Sequence, residues 1–158
     1  MLCVGMILAM AGGVQAQQVV LENFVLDNVG GRIQLRIGLH AEDIQNLQTS
    51  LKTEGPLRME CCVLLRRKRR FWKDPTVHNT CLGFELKANP LTQTYTMIPD
   101  GREGPDRDSK LSDLLSNNWS EITVDLGEWA FLHPGSTYAI ELNIVFKRPD
   151  VPAWLKTA

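Results

Sequence analysis

Residues 57–87 read LRMECCVLLRRKRRFWKDPTVHNTCLGFELK, and the fold follows from how this stretch divides. Leu57, Met59, Cys61, Val63 and Leu65 alternate with Arg58, Glu60, Cys62 and Arg66. A period of two sends one set to a core and the other toward solvent, the pattern of a half-buried strand. Val77–Lys87 forms its partner strand, with Leu82, Phe84 and Leu86 inward. The two strands make a hairpin, and its tip carries Arg66-Arg67-Lys68-Arg69-Arg70-Phe71-Trp72-Lys73-Asp74-Pro75. Both apolar sets face one core only if odd residues of the first strand pair with even residues of the second. Pairing Cys61 with Leu82 and Cys62 with Cys81 meets that condition, and a register slipped by two meets it as well.

Working outward, Val19–Asp27 is an extended aliphatic run, Val29-Gly30-Gly31 a turn, and Arg32–Leu39 alternates again with Ile33, Leu35, Ile37 and Leu39 on one face. These two runs form a second hairpin. Ala41–Thr53 changes period: Ile44, Leu47 and Leu51 recur at helical spacing, Glu42 and Asp43 fall in the first turn, and Gly55-Pro56 stops the helix. Beyond the Asn89–Thr92 turn, Gln93–Ile98 is a strand and Pro99–Asp108 a polar loop, the segment expected to be mobile. Ser109–Asn118 reads as a second helix capped by Ser109, and Ile122–Leu126 and Tyr138–Phe146 as strands around a turn at His133–Ser136. The tail Arg148–Ala158 is expected along the surface. Seven strands and two short helices joined by short turns predict an antiparallel β-sandwich, immunoglobulin-like or Greek-key. A single curved sheet covered by both helices is the alternative.

At 158 residues the chain is long enough for one domain. With 17 Lys and Arg against 18 Asp and Glu, it is not a globally basic nucleic-acid binder. Leu2–Gly13 carries no charge, and Val14-Gln15-Ala16 offers small residues at the −3 and −1 positions of a signal-peptidase site. The apolar run is shorter than the ~20 residues a membrane helix needs. Residues 1–16 therefore read as a cleaved secretory signal and 17–158 as a single soluble periplasmic domain. No Lys or Arg precedes the apolar run, so the natural start is expected upstream, and an N-terminal core element is the competing reading. Export leaves Cys61, Cys62 and Cys81 in an oxidising compartment, with Cys62–Cys81 the expected disulfide and Cys61 a buried thiol.

The residue pattern offers no catalytic constellation. His40, His78 and His133 stand at no metal-ligand spacing, and the adjacent Cys61 and Cys62 point to opposite faces of a strand. His78 and Cys81, three apart on a strand, face opposite ways and cannot act as base and nucleophile together. Ser136 lacks the glycine elbow of a hydrolase, and Asp100–Gly104 lacks the lysine of a phosphate loop. No cofactor, metal or enzymatic activity is expected. Trp119 and Trp129 are read as core.

The basic tip stands out. Five of the 17 cations sit in Arg66–Arg70, leaving 12 against 18 elsewhere, so an acidic body carries one basic finger ended by Phe71 and Trp72. Export argues against nucleic acid. Residues Arg66, Arg67, Lys68, Arg69, Arg70, Phe71 and Trp72 are thus the candidate contact site for a partner protein or an anionic membrane surface. The plainer reading is a solvated tip that protects a strand edge. A different function class, a carrier of a small apolar ligand, would need a pocket lined by Phe84, Tyr95, Trp119 and Trp129.

An ordered set of motifs resembles a known family: Leu-x-x-x-Gly-Pro-Leu from Leu51 to Leu57, Phe-Trp-x-Asp from Phe71 to Asp74, Asn-Pro-Leu-Thr-x-x-Tyr from Asn89 to Tyr95, Leu-x-Pro-Gly-x-x-Tyr from Leu132 to Tyr138, and a Pro-Asp-Val-Pro tail. Together they resemble the bacterial family catalogued as domain of unknown function 4390. The resemblance implies an exported domain often encoded beside a membrane sensor histidine kinase. It implies no activity and no catalytic residues to carry over.

Overall fold

A computed structural model describes residues 19–149. The segment read as a signal, 1–16, and the tail beyond Pro149 lie outside the described residues.

The decisive hairpin consists of β3 (Leu57–Arg67) and β4 (Thr76–Asn89). All five alternating apolar residues of β3, from Leu57 to Leu65, are buried, while Arg58, Glu60, Cys62, Leu64 and Arg66 are only partly covered. Leu57 pairs with Leu86, Cys61 with Leu82 and Cys62 with Cys81, so the register is the unslipped one. Cys62 and Cys81 are joined as a disulfide on the outer face with Cα atoms 4.0 Å apart. Cys61 is fully buried behind them, and burial pushes its thiol pKa up to about 12.

The other elements are β1 (Val19–Val29), β2 (Arg32–Ala41), α1 (Ile44–Thr53), β5 (Thr94–Pro99), β6 (Asp106–Asp108), α2 (Leu111–Trp119), β7 (Ile122–Glu128), a single 3₁₀ turn at Trp129–Phe131, and β8 (Tyr138–Lys147). They build two antiparallel sheets, β1-β2-β7 and β6-β5-β4-β3-β8, which exclude the single-sheet alternative. Strands β2 and β7 pair in one sheet while their successors β3 and β8 pair in the other. That cross-linking of two strand pairs is the immunoglobulin-like arrangement. Tyr138 at the start of β8 adds a tyrosine corner, its hydroxyl accepting the His133 N–H at 2.7 Å. Between the sheets lie Ile33, Leu35 and Ile37 of β2, Val124 and Leu126 of β7, and the inward residues of β3 and β8.

Local chemistry sets the boundaries. Gly30 and Gly31 both adopt positive φ, the requirement of the two-residue hairpin turn that right-twisted strands favour. Asp43 is not in the first turn of α1 but caps it, its Oδ1 accepting the Asn46 N–H at 2.9 Å, so the helix starts at Ile44. Ser109 does not cap α2. Lys110 holds that position without a side-chain cap, and Asp108 Oδ1 accepts the Lys110 N–H instead. Part of the expected mobile loop is a strand: Asp106–Asp108 pairs with Tyr95–Met97 at the sheet edge. Three polar residues carry no alternation, so only the β5 edge reveals them. Gly38 marks a close approach, because a Cβ there would stand 2.8 Å from the Ser120 carbonyl oxygen at the end of α2.

The disulfide spans a sequence separation of 19, and closing such a loop restricts the unfolded chain by about 3 kcal/mol. The Cys62→Ser/Cys81→Ser protein should therefore melt about 10 °C below the oxidised protein, as followed by circular dichroism. Equal melting temperatures would contradict the stapling role.

Candidate functional site at the loop end

The β3–β4 connection is shaped by the sheet that carries it. Pairing runs regularly to Leu65 and His78, then shifts so that Arg66 faces Thr76 and Val77 is left over. Such a bulge bends and twists the strand it interrupts, and here it lies where the basic run begins. The Arg67 N–H donates to the Pro75 carbonyl at 3.1 Å and the Lys68 N–H to the Thr137 carbonyl at 2.8 Å, after which the chain leaves the sheet. One carboxylate closes the loop: Asp74 Oδ2 accepts from Lys68 Nζ and Asp74 Oδ1 from the Arg69 N–H, both at 2.8 Å.

These contacts divide a charge run that looks uniform in the sequence. The Arg66 guanidinium lies 3.2 Å from Glu141 of β8, and Lys68 is engaged with Asp74. Both serve the fold. Arg67 is half-buried at the end of β3. Among the described residues, Arg69, Arg70 and Lys73 are exposed and pair with no carboxylate. Between them Phe71 is 87% and Trp72 80% exposed. An apolar side chain left in water forgoes about 1.5–3 kcal/mol of burial, and two adjacent ones at a loop tip do so together. The structure thus brings the candidate residues 66–72 together, narrows the available charges to Arg69 and Arg70, and adds Lys73.

Sequence reasoning missed the rest of this end of the sandwich. Strand β7 ends here opposite Arg32, and the 3₁₀ turn follows, its Trp129 N–H donating to the Gly31 carbonyl at 2.8 Å. Trp129 is 46%, Phe131 57% and Val29 51% exposed. Trp129 is therefore not core, whereas Trp119 is, at 1% exposed and against Phe146 with ring centroids 6.4 Å apart. The residue pattern distinguishes the two: Trp119 continues the helical spacing of Leu111, Leu114 and Leu115, while Trp129 follows a strand end and a glycine with no periodicity to bury it. Gly127 has positive φ, and its open side looks onto His78 and Phe131, so connections of the two sheets lie side by side here.

The four residues proposed for an apolar pocket do not converge. Phe84, Tyr95 and Trp119 are packed in the core and Trp129 is outside it. At the opposite end of the sandwich, a cleft of about 620 Å³ opens between α1, the β4–β5 turn and the start of α2. Gln48, Lys52, Asn89, Tyr95, Lys110 and Ser112 are among its lining, which among the described residues includes no carboxylate, thiol or imidazole. Cys81 is held in the disulfide, and His78 Nε2 lies 2.8 Å from the Thr80 hydroxyl. Among the described residues no three His, Cys, Asp or Glu side chains gather as metal ligands, and no helix is long and apolar enough to cross a membrane.

The Lys68 ammonium, and then the Arg69 N–H, hold the Asp74 carboxyl below its ordinary range. A depressed carboxyl contributes its contacts fully above the unfolded Asp value, about 4, and loses them as pH falls through the lower folded value. Asp74→Ala removes both acceptor oxygens at any pH. Hydrogen exchange corrected for intrinsic rates should show protection of the Arg69 amide lost in this variant, with the melting temperature within a few degrees of the parent's. Unchanged protection would mean that the carboxylate does not set the loop.

Neither the curated proteins nor the solved structures show a match to this chain. A family model does: residues 16–158 match the domain of unknown function DUF4390, and the chain belongs to that family.

Proposed function

We propose that this protein is an exported, non-enzymatic interaction module that works at a membrane, and that the β3–β4 loop is its contact site. The observation that carries the reading is Phe71 and Trp72, almost wholly exposed between cations that no carboxylate among the described residues engages. Aromatic residues and Arg are the side chains enriched where binding energy concentrates. The loop is tied by Asp74 and two backbone hydrogen bonds, so less freedom is lost on contact than from an unanchored loop. An inner-membrane protein such as a sensor histidine kinase is suggested as a partner by the family resemblance alone. Export accords with the uncharged N-terminal run, and a soluble periplasmic domain accords with the Cys62–Cys81 disulfide. The carrier reading has no comparable observation in its favour.

The test uses the full chain in its native cells, with a photo-crosslinking residue at Phe71. Adducts in the membrane fraction are expected, and Arg69→Glu/Arg70→Glu/Lys73→Glu should remove them while leaving the melting temperature within a few degrees. Membrane-fraction adducts that survive the charge reversal would overturn the reading.

A further inference from the structure

The loop is not alone at its end of the molecule. The β1–β2 turn and the 3₁₀ turn after β7 meet beside the Arg32–Glu128 pair, and Gly127 next to them looks onto His78 near the start of β4, so the β3–β4 loop projects at the same end. Five exposed large hydrophobic residues, Val29, Phe71, Trp72, Trp129 and Phe131, stand on these three connections. Of the remaining exposed ones, Leu91 tips the β4–β5 turn at the opposite end, and Val20 and Val25 lie on β1.

Charge follows the same division. Four carboxylates near this end are engaged by the fold: Asp27 with Arg36, Asp125 with Arg32, Asp74 with Lys68 and Glu141 with Arg66. Glu128 is exposed beside Arg32. Arg69, Arg70 and Lys73 remain as a local positive surplus on a chain whose other residues are net acidic.

We propose that this end docks on an anionic phospholipid surface. Phe71 and Trp72 enter the interface, Arg69, Arg70 and Lys73 meet the headgroups, and Trp129 and Phe131 form a second row of contact. The proposal rests on the contact-site reading above and names what the loop touches. Amphipathic aromatic rings concentrate at the depth where acyl chains meet headgroups, and neighbouring Arg and Lys stems extend charge to the phosphates. The acidic body does not oppose this approach. Strands of about ten residues place its far end ~30 Å from the tip, beyond the ~8 Å over which exposed charges act at physiological salt. A lipid surface also needs no matching pocket for side chains that protrude this far, whereas a stable protein interface requires about 800 Å² of fitted surface from each partner.

The test is co-sedimentation of the purified protein with vesicles of phosphatidylglycerol and phosphatidylcholine, and with vesicles of phosphatidylcholine alone. Binding should favour the anionic vesicles and fall as salt rises. Arg69→Gln/Arg70→Gln/Lys73→Gln should weaken it roughly a hundredfold. Trp72→Ala should weaken it about tenfold, and Trp129→Ala/Phe131→Ala should reduce it as well. The substituted side chains are exposed, and circular dichroism verifies the fold. Binding that is absent, equal on both vesicles, or indifferent to these substitutions overturns the lipid proposal. If Phe71 crosslinks a membrane protein in cells while the vesicles stay unbound, the lipid proposal falls and the contact-site reading stands. If both are absent, both fall.

Discussion

Strand β3 is the constraint on which the rest depends. It pairs with β4 over Leu57–Arg66 and with β8 over Arg58–Arg67, so it is central in its sheet and cannot slide. Five of its side chains fill the core, and a register change of one residue would exchange them for Arg58, Glu60, Cys62, Leu64 and Arg66. The same register brings Cys62 opposite Cys81 and Arg66 within reach of Glu141. Where β3 leaves the sheet, the bulge at Leu65–Arg66 and the Asp74 contacts decide how its continuation is presented.

That constraint divides one run of cations into two groups. Residues still in the sheet meet neighbouring strands, so Arg66 faces Glu141, and Arg67 is half-covered. Residues beyond it meet only the loop itself, where a single carboxylate engages Lys68 and the Arg69 backbone. Exposed ion pairs are worth about 1 kcal/mol or less, so neither adds much to global stability. Their consequence is geometric: they fix which cations face solvent beside Phe71 and Trp72.

Much of the fold was legible in the residues because alternation is a strong signal in long strands. The β3 and β4 patterns limited each other to registers two residues apart, and the two glycines at 30–31 allowed little but a hairpin turn. Short or capped features were less legible. Asp106–Asp108 has no apolar alternation and becomes a strand only because β5 has a free edge. Ser109 is a good capping residue by type, yet Asp108 one position earlier makes the local hydrogen bond. At the site, the tip was visible as charge and aromatic residues adjacent in the chain. The division of those charges was not, since Glu141 is distant in sequence. Nor was the second aromatic row: Trp129 and Phe131 join the site only through the pairing of β2 with β7 and the turn that follows.

The central claim is that the fold uses Arg66 while contact uses Arg69 and Arg70. It is tested most directly by measuring thermal stability and membrane-fraction association together in Arg66→Gln and in Arg69→Gln/Arg70→Gln. The account predicts a dissociation: the first variant loses up to about 1 kcal/mol of stability and keeps its association, and the second keeps its stability and loses association. Equal loss of association per charge removed, whichever arginine is replaced, would contradict it and make the run an undivided basic patch.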